Sequence, residues 1–397
     1  MQPNQDFIRK RIQSIDLLRG LIMIIMALDH VRDYFHQPAI INNPIDLATT
    51  TPPIFFTRII THFCAPVFVF LSGLSAYLVG QRKSKAALSR YLISRGIWLV
   101  IVEIAVMSLI MTFDPKYNLI LILVIWAIGW SMIILGLLVR GSYKLILVTG
   151  LIIFLGHNLL DYVQLPQTGT ASVILRLLLT TPGTLLPLGA NHLALIGYAI
   201  LPWTAIMLLG YAAGKLYTKD IDPAKRRKIL LQLGFVMIVL FLVLRLPNLY
   251  GDTDKWSVQA STIYSILSFF RVSKYPPSLQ YACMTLGPAL IFLAISENWS
   301  GKFVRFATVY GSVPFFYYVI HFLLIHIVCM ILFFASGHTM AQASDPASPF
   351  LFRPASFGYP LWIVYIIWIG IVLTMYYPCK WYGQYKKTHQ QWWLSYL

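Results

Sequence analysis

Apolar stretches of about 18 residues or more recur along the chain, and each can cross a hydrocarbon core of about 30 Å as an α-helix. Only 11% of the residues are charged, against about 25% in soluble proteins. The sequence therefore predicts an all-α polytopic membrane protein, with residues 1–397 forming a single bundle domain. Ten spans are predicted, near residues 14–36, 54–80, 90–112, 118–139, 142–163, 192–217, 227–246, 277–297, 311–336 and 360–380.

Lysine and arginine are concentrated in every second connection between these spans. The basic connections are short, for example 81–90 and 215–228, whereas the connections on the other side are long and carry fewer positive charges. Because positive residues are retained on the cytoplasmic side, both termini are predicted to be cytoplasmic. Topology thus accounts for the net charge of +17, so a lipid bilayer is the expected partner and nucleic acid is not.

The four cysteines, Cys64, Cys283, Cys329 and Cys379, are scattered along the chain. They have neither the paired spacing of a zinc motif nor that of a disulfide framework. No metal site is predicted.

Ionisable residues interrupt the first predicted span before its end: Asp29, His30, Arg32 and Asp33. With a rise of about 1.5 Å per residue from Ile15, they lie about 20–27 Å along the helix, in the outer third of the bilayer. The second span enters from the outside near Ile54, so Arg58 and His62 lie about 6 and 12 Å below the outer face. Both helices therefore bring ionisable groups to a similar depth.

Other spans also contain ionisable residues: Glu103 in the third, and His321 and His326 in the ninth. A charge at the bilayer centre is unfavourable by about 2.5–3.5 kcal/mol or more, so such residues face the bundle interior or a wet cavity. A buried polar site is therefore predicted. Structural alternatives stay open, with His62 and His326 as core histidines and Glu103 as an arginine partner.

His30 is the residue best suited to chemistry, because a histidine can take a proton from a nucleophile and return it to a leaving group. Asp33 lies on the same helix face, whereas Asp29 points about 100° away, so a His30–Asp33 dyad is predicted. Nearby arginine would stabilise negative charge on an acyl carbonyl. The same groups would suit proton-coupled transport, and Asp29 with Arg32 is equally readable as an intrahelical ion pair.

The segment SIDLLRGLIMIIMALDH resembles the start of the membrane acyltransferase superfamily. There the first helix carries an Asp, then Leu-Arg-Gly, an apolar run and a His, which match Asp16, Leu18, Arg19, Gly20 and His30. In the acyltransferase 3 family the histidine at this spacing is catalytic. The resemblance therefore implies a catalytic role for His30.

Nearly the whole chain is similar to the bacterial branch of the heparan-α-glucosaminide N-acetyltransferase family. The matching segments are Asp-His-x-Arg-Asp at 29–33, HFCAPVFVFLSGLSAYL at 62–78, KYPPSLQYACMTLGPAL at 274–290, PFFYYVIHFLLIH at 314–326 and WWLSYL at 392–397. The resemblance implies an acetyl-CoA-dependent transferase in a bacterial inner (plasma) membrane. It would deliver acetyl from the cytoplasm to an amine or hydroxyl of a small-molecule or glycan acceptor on the far side.

Roles for individual residues follow from that resemblance. His30 would be a general base or a transient acyl carrier, and Asp33 or Asp29 would orient it. Arg19 and the basic inner loops would bind the phosphates of coenzyme A. The remaining candidates are His62 for catalysis and, for binding of the donor, Arg32, Arg58 and His321.

One departure from the family affects the choice of catalytic histidine. In the lysosomal enzyme the position that matches His30 is an asparagine, and the catalytic histidine follows an insertion near Tyr34–His36 of this chain. His36 therefore competes with His30. We favour His30 for its depth and for its match to the acyltransferase 3 family.

Two other functions remain open from the sequence. A proton-coupled transporter often has inverted repeats, which are not evident here, although Gly311 and Pro314 could break the ninth span. A bis-histidine haem protein would show a Soret band. The sequence also leaves open which molecule is the acceptor and whether acetyl passes to it directly or through an acyl-enzyme. It leaves open as well whether the protein forms a homodimer.

Overall fold

The computed structural model describes residues 12–164, 166, 168–180 and 184–395, which form a bundle of α-helices with one small sheet. The basic residues Arg9, Lys10 and Arg11 and the last two residues of WWLSYL lie outside the described residues. In chain order the described helices are α1 (Gln13–Phe35), α2 (Pro52–His62), α3 (Cys64–Gly80), α4 (Lys85–Val102), α5 (Ser108–Thr112), α6 (Val124–Leu138), α7 (Tyr143–Gly156), α8 (Gly169–Leu175), α9 (Ile200–Ala213), α10 (Pro223–Arg245), α11 (Thr262–Phe270), α12 (Leu279–Ile295), α13 (Lys302–Ser312), α14 (Pro314–Ala335) and α15 (Leu361–Thr388).

Within the described residues, seven helical segments are long and apolar enough to cross a membrane, which confirms the all-α membrane class. They are Pro52–Gly80, Lys85–Thr112, Tyr143–Tyr162, Pro223–Arg245, Leu279–Asn298, Pro314–Ala335 and Leu361–Thr388. Helix α1 has 23 residues, but its ionisable side chains keep it out of this set, and α6 and α9 have only 15 and 14 residues. Ten spans and cytoplasmic termini therefore remain predictions.

Three predicted spans differ from the helices at their starts. The fourth and sixth, 118–139 and 192–217, begin with strands, β1 (Leu119–Ile122) and β3 (Leu193–Ile196), before α6 and α9. Short apolar runs suit a strand or a helix equally, and pairing between distant segments decides between them. The ninth, 311–336, is divided at Val313, because Pro314 occupies the first position of α14, where its missing N–H is tolerated.

The sheet has three short strands in the order β1-β3-β2, where β2 is Thr184–Pro187. Strand β1 runs parallel to β3, and β2 runs antiparallel to it. Because β1 precedes α6 directly and β3 precedes α9, the sheet ties the starts of these two helices together.

Glycines allow a very close helix crossing between α1 and α13. A Cβ atom on Gly20 would lie 1.9 Å from the Ala307 carbonyl oxygen, and one on Gly311 would lie 1.9 Å from that of Asp16. No side chain fits at such distances, so the two backbones meet directly. Small residues serve the same purpose in other membrane helix pairs.

The bundle has two distinct ends. Gln13 of α1 and Lys387 of α15 line one groove, and we call this side the terminal end. At the opposite side, the loop end, long connections are tied to α1 and to each other. There the buried Arg353 guanidinium donates to the carbonyl oxygens of His36 and Phe357, and the Tyr34 hydroxyl donates to that of Met111 at 2.6 Å.

Candidate active site

A cavity of about 240 Å³ lies among α1, α2, α14 and the segment before α12; we call it the loop-end cavity. Its ionisable lining residues are Asp29, His30, Arg32, Asp33, Arg58 and Lys274. Its aromatic lining residues are Tyr34, Tyr198, Tyr275, Tyr318, Phe322 and Phe350. Five of the eight residues proposed from the sequence therefore meet around one cavity.

Asp29 is the centre of the charged network in this cavity. Its side chain is buried, with 6% of the residue exposed. Arg58 Nη1 donates to both carboxylate oxygens, at 2.6 and 2.7 Å, and Arg32 Nη2 lies 3.0 Å from Oδ1. The Thr61 hydroxyl donates to Oδ1 at 2.9 Å. Asp29 thus joins α1 to α2 and neutralises part of the charge of two arginines.

Asp33 binds Arg32 and not the predicted partner His30. Arg32 Nη2 donates to Asp33 Oδ1 at 2.7 Å, and the Asp33 side chain is 37% exposed. Among the described residues, neither Asp29 nor Asp33 forms a hydrogen bond with the His30 ring, so the spacing of i and i+3 alone does not make the dyad. Asp29 acts on His30 through its charge.

Aromatic rings hold His30 in place. The His30 ring centroid lies 4.0 Å from that of Phe322 and 5.4 Å from that of His321, both on α14. This packing against α14 fixes the ring while leaving it at the cavity wall. The direct contact of the His30 and His321 rings also leaves no room for a porphyrin between them.

His62 and His321 lie behind the cavity wall, since neither lines the cavity. His62 Nδ1 donates to the Arg58 carbonyl oxygen at 2.6 Å, and His321 Nδ1 donates to that of Tyr317 at 2.9 Å. Both residues are buried, and the Nε2 atom of each has no hydrogen-bond partner among the described residues. Each therefore presents an unused ring nitrogen to the protein interior.

A small opening of about 30 Å³ adjoins the cavity toward the loop end. It shares Arg32, Asp33 and Pro44 with the cavity and is further lined by residues of the connection from α1 to α2. These further residues are His36, Pro38, Ala39, Asn42, Asn43, Thr49 and Thr50, and Ile54 of α2 also lines the opening. His36 therefore lies at the mouth, farther out than His30.

The cavity residues that were not predicted from the sequence include Tyr198, Lys274 and Tyr275. In the predicted topology Lys274 falls in a long outer connection. A lysine in such a connection is expected to be exposed to solvent, so it does not stand out as a site residue. The feature that could have pointed to Lys274 is its position at the start of the family-like segment KYPPSLQYACMTLGPAL, close to two consecutive prolines. Only tertiary packing buries it.

A second cavity of about 220 Å³ lies toward the terminal end and is lined mainly by apolar side chains; we call it the terminal-end cavity. Its polar and charged lining residues are Arg19, Ser72, Ser75, Tyr91 and Arg95. Arg19 donates to the Ser75 hydroxyl at 2.8 Å, to Asp16 at 3.0 Å and to the Gly311 carbonyl oxygen at 3.2 Å. Arg19 and His30 are about 16 Å apart along α1, since each residue adds about 1.5 Å.

The two cavities follow the same helices. Helix α6 contributes Val124 to the loop-end cavity and Ile125 to the terminal-end cavity. Helix α14 contributes Tyr318 to the former and Phe315 to the latter, one turn apart. The cavities therefore lie in line through the bundle.

Glu103 and His326 are buried but line neither cavity. Glu103 begins a π-helical segment, Glu103–Met107, and its Oε1 accepts a hydrogen bond from Leu123 N at 2.8 Å. His326 Nδ1 and Nε2 each lie 2.8 Å from a carbonyl oxygen, of Ile110 and Leu351. His326 thus ties α14 to two other segments, which is a structural role.

No group of three or more His, Cys, Asp and Glu residues that could hold a metal ion occurs in the part of the chain that the structure describes. The clustered groups are instead cations, carboxylates and one imidazole, a set suited to proton transfer and anion stabilisation.

A family model described as heparan-alpha-glucosaminide N-acetyltransferase, catalytic, matches residues 11–249 of the chain. The matched range contains Asp29, His30, Asp33 and His62, together with Arg19 of the terminal-end cavity. A search of curated proteins finds no match.

Proposed function

The chain belongs to the heparan-α-glucosaminide N-acetyltransferase family, and on that premise we propose that it moves acetyl groups through the membrane from acetyl-CoA to an acceptor. The observation that carries the proposal is the pair of cavities in line along α6 and α14. One is mainly apolar, and the other holds His30 within a charged network. A long donor with a reactive end fits this arrangement.

The donor enters from the terminal end, which we infer to be cytoplasmic because the short basic connections lie there. Arg19 and Arg95 of the terminal-end cavity supply positive charge for the phosphates of coenzyme A. The apolar walls around Leu99 and Ile128 suit the pantetheine arm. The thioester would then reach the loop-end cavity.

The acceptor enters through the opening beside His36, on the outer side of a bacterial inner membrane. The opening offers the Asp33 carboxylate and the side-chain amides of Asn42 and Asn43. Carboxylates and amides bind hydroxyl and amino groups, so a small molecule or glycan with an amine or hydroxyl is the acceptor class. Acetyl-CoA is a co-substrate and not a resident cofactor.

His30 is the general base in this proposal. It takes the proton from the acceptor nitrogen or oxygen as that atom attacks the acetyl carbon, and it returns the proton to the departing thiolate. Asp29 lines the same cavity as His30, so its carboxylate places negative charge near the imidazolium that forms during the transfer. Arg32 and Arg58 keep Asp29 in position.

The test uses the purified full-length protein in lipid nanodiscs. Wild type should bind acetyl-CoA saturably and release free thiol when amino sugars are added. His30→Ala should lower the rate of thiol release at least about 100-fold, the contribution of a positioned general base, while acetyl-CoA binding persists. His192→Ala, at an exposed position in the loop-end connection, is the matched control and should behave as wild type.

Retained activity in His30→Ala would overturn the assignment and move it to His36. Absence of both binding and thiol release in wild type would overturn the transferase function. A proton-coupled transporter is the second candidate, favoured by the buried Glu103, whose Oε2 has no hydrogen-bond partner among the described residues.

A further inference from the structure

Lys274 places an ammonium group inside the loop-end cavity. The residue lies between α11 and α12, is 7% exposed and lines the cavity together with Asp29 and His30. The Asp252 carboxylate holds this segment, because it accepts hydrogen bonds from Ser273 N at 2.9 Å and from the Ser278 hydroxyl at 2.6 Å. Lys274 is therefore carried by a fixed segment.

The Lys274 ammonium has no ionic partner in the described part of the chain. Its nitrogen lies 5.1 Å from the centroid of the Tyr275 ring. The Asp29 carboxylate of the same cavity is already bound by Arg58 and Arg32. A buried charge is strongly unfavourable unless it is paired or hydrogen-bonded, so this wall of the cavity is suited to an anionic group.

We propose, on the basis of the acetyl transfer proposed above, that Lys274 is a catalytic residue that binds the acetyl carbonyl oxygen as it becomes an oxyanion. The acceptor nitrogen bonds to the acetyl carbon, the carbonyl π electrons move to oxygen, and His30 takes the proton from nitrogen. When the carbonyl forms again, the C–S bond breaks and the thiolate takes the proton from His30. Lys274 stabilises the charge that exists only between these steps, which accelerates the reaction.

The position of Lys274 favours the oxyanion over an acidic group on the acceptor. It lines the loop-end cavity together with Asp29 and His30, so it lies among the groups around the proposed reacting centre. It does not line the opening, where the acceptor enters. The cation at the opening is Arg32, and Asp29 and Asp33 already bind it.

The test measures thiol release and acetyl-CoA binding for Lys274→Met in nanodiscs. We expect kcat to fall about 100-fold to 1000-fold, as for loss of an oxyanion donor, with the Kd of acetyl-CoA and the KM of the acceptor changed less than about threefold. Lys255→Met, at an exposed position of the same connection, is the matched control and should keep wild-type kinetics.

Lys274→Cys separates a chemical role from a folding defect. Alkylation with 2-bromoethylamine, confirmed by the mass of the protein, rebuilds an ammonium of similar reach and should restore most of kcat. Wild type treated in the same way controls for reaction at the four native cysteines. A wild-type kcat in Lys274→Met, no rescue of the alkylated variant, or a rise confined to the acceptor KM would each overturn this role. These results leave the proposed function intact as long as wild type releases thiol. If wild type itself releases no thiol, the proposed function is overturned as well.

Discussion

The two cavities along α14 have nearly the same volume, about 240 and 220 Å³, but opposite chemistry. The loop-end cavity concentrates charge around Asp29, where four side-chain contacts converge. The terminal-end cavity has mainly apolar walls, and the hydrogen bonds of Arg19 run to Asp16, Ser75 and the Gly311 carbonyl oxygen. The two cavities thus differ in charge and not in volume, and the proposed function assigns the reaction to the first and passage of the donor to the second.

The energetic basis of the two regions differs in the same way. Charged groups in the loop-end cavity are desolvated and depend on each other, so removal of one leaves the others unpaired. The terminal-end cavity is mainly walled by apolar side chains, and at the same end of the bundle α1 and α13 pack backbone to backbone through Gly20 and Gly311. Substitutions should therefore act through charge in the first region and through volume in the second.

The largest effect is expected for Asp29→Ala. Loss of this carboxylate leaves Arg58 buried without its ionic partner and leaves Arg32 with Asp33 alone, and breaking a buried pair destabilises by about 3–5 kcal/mol. Thermal unfolding of the purified protein in detergent would measure the loss. Asp220→Ala, at an exposed position, is the control and should stay within about 0.5 kcal/mol of wild type.

The double variant Asp29→Leu with Arg58→Leu sharpens this prediction, because removing both members of the pair should restore part of the lost stability. If Asp29→Ala and wild type had the same thermal stability, the charges in the loop-end cavity would not depend on each other.

An intermediate effect is expected for Gly311→Ala in α13. The added methyl group would lie 1.9 Å from the Asp16 carbonyl oxygen, and overpacking of this kind destabilises by about 1–3 kcal/mol. Gly370→Ala in α15 is the matched control, since no atom lies within 4 Å of the added carbon. The same unfolding assay compares them, and equal midpoints would contradict the close crossing of α1 and α13.

The smallest effect is expected for Ser72→Phe, which fills the terminal-end cavity without changing charge. Acetyl-CoA affinity should fall about tenfold, or about 1.4 kcal/mol, because the ring occupies space proposed for the donor. Isothermal titration calorimetry would measure this affinity, with Leu373→Phe at an exposed position of α15 as the control. Unchanged affinity would mean that the donor does not pass through this cavity.

Much of the candidate site was predictable because its residues are unusual within a membrane span. Asp29, His30, Arg32 and Asp33 stand out in an apolar helix, and Arg58 follows in the next one. Helix geometry placed them at similar depth, and the structure gathers them around one cavity. The Asp29–Arg32 ion pair was one of the interpretations of the sequence, and the structure contains it. The other partners were not predicted, since Arg58 also binds Asp29, and Asp33 binds Arg32 instead of His30.

The sequence by itself determined the membrane class and the segments that hold ionisable groups, because hydrophobicity and helical rise are local properties. It also identified the family, through motifs spread along the chain. Only the tertiary structure decided that Lys274 faces His30's cavity, that residues 119–122 and 193–196 pair as strands, and that two cavities align along α14. These features depend on contacts between segments far apart in the chain, and no local pattern encodes them.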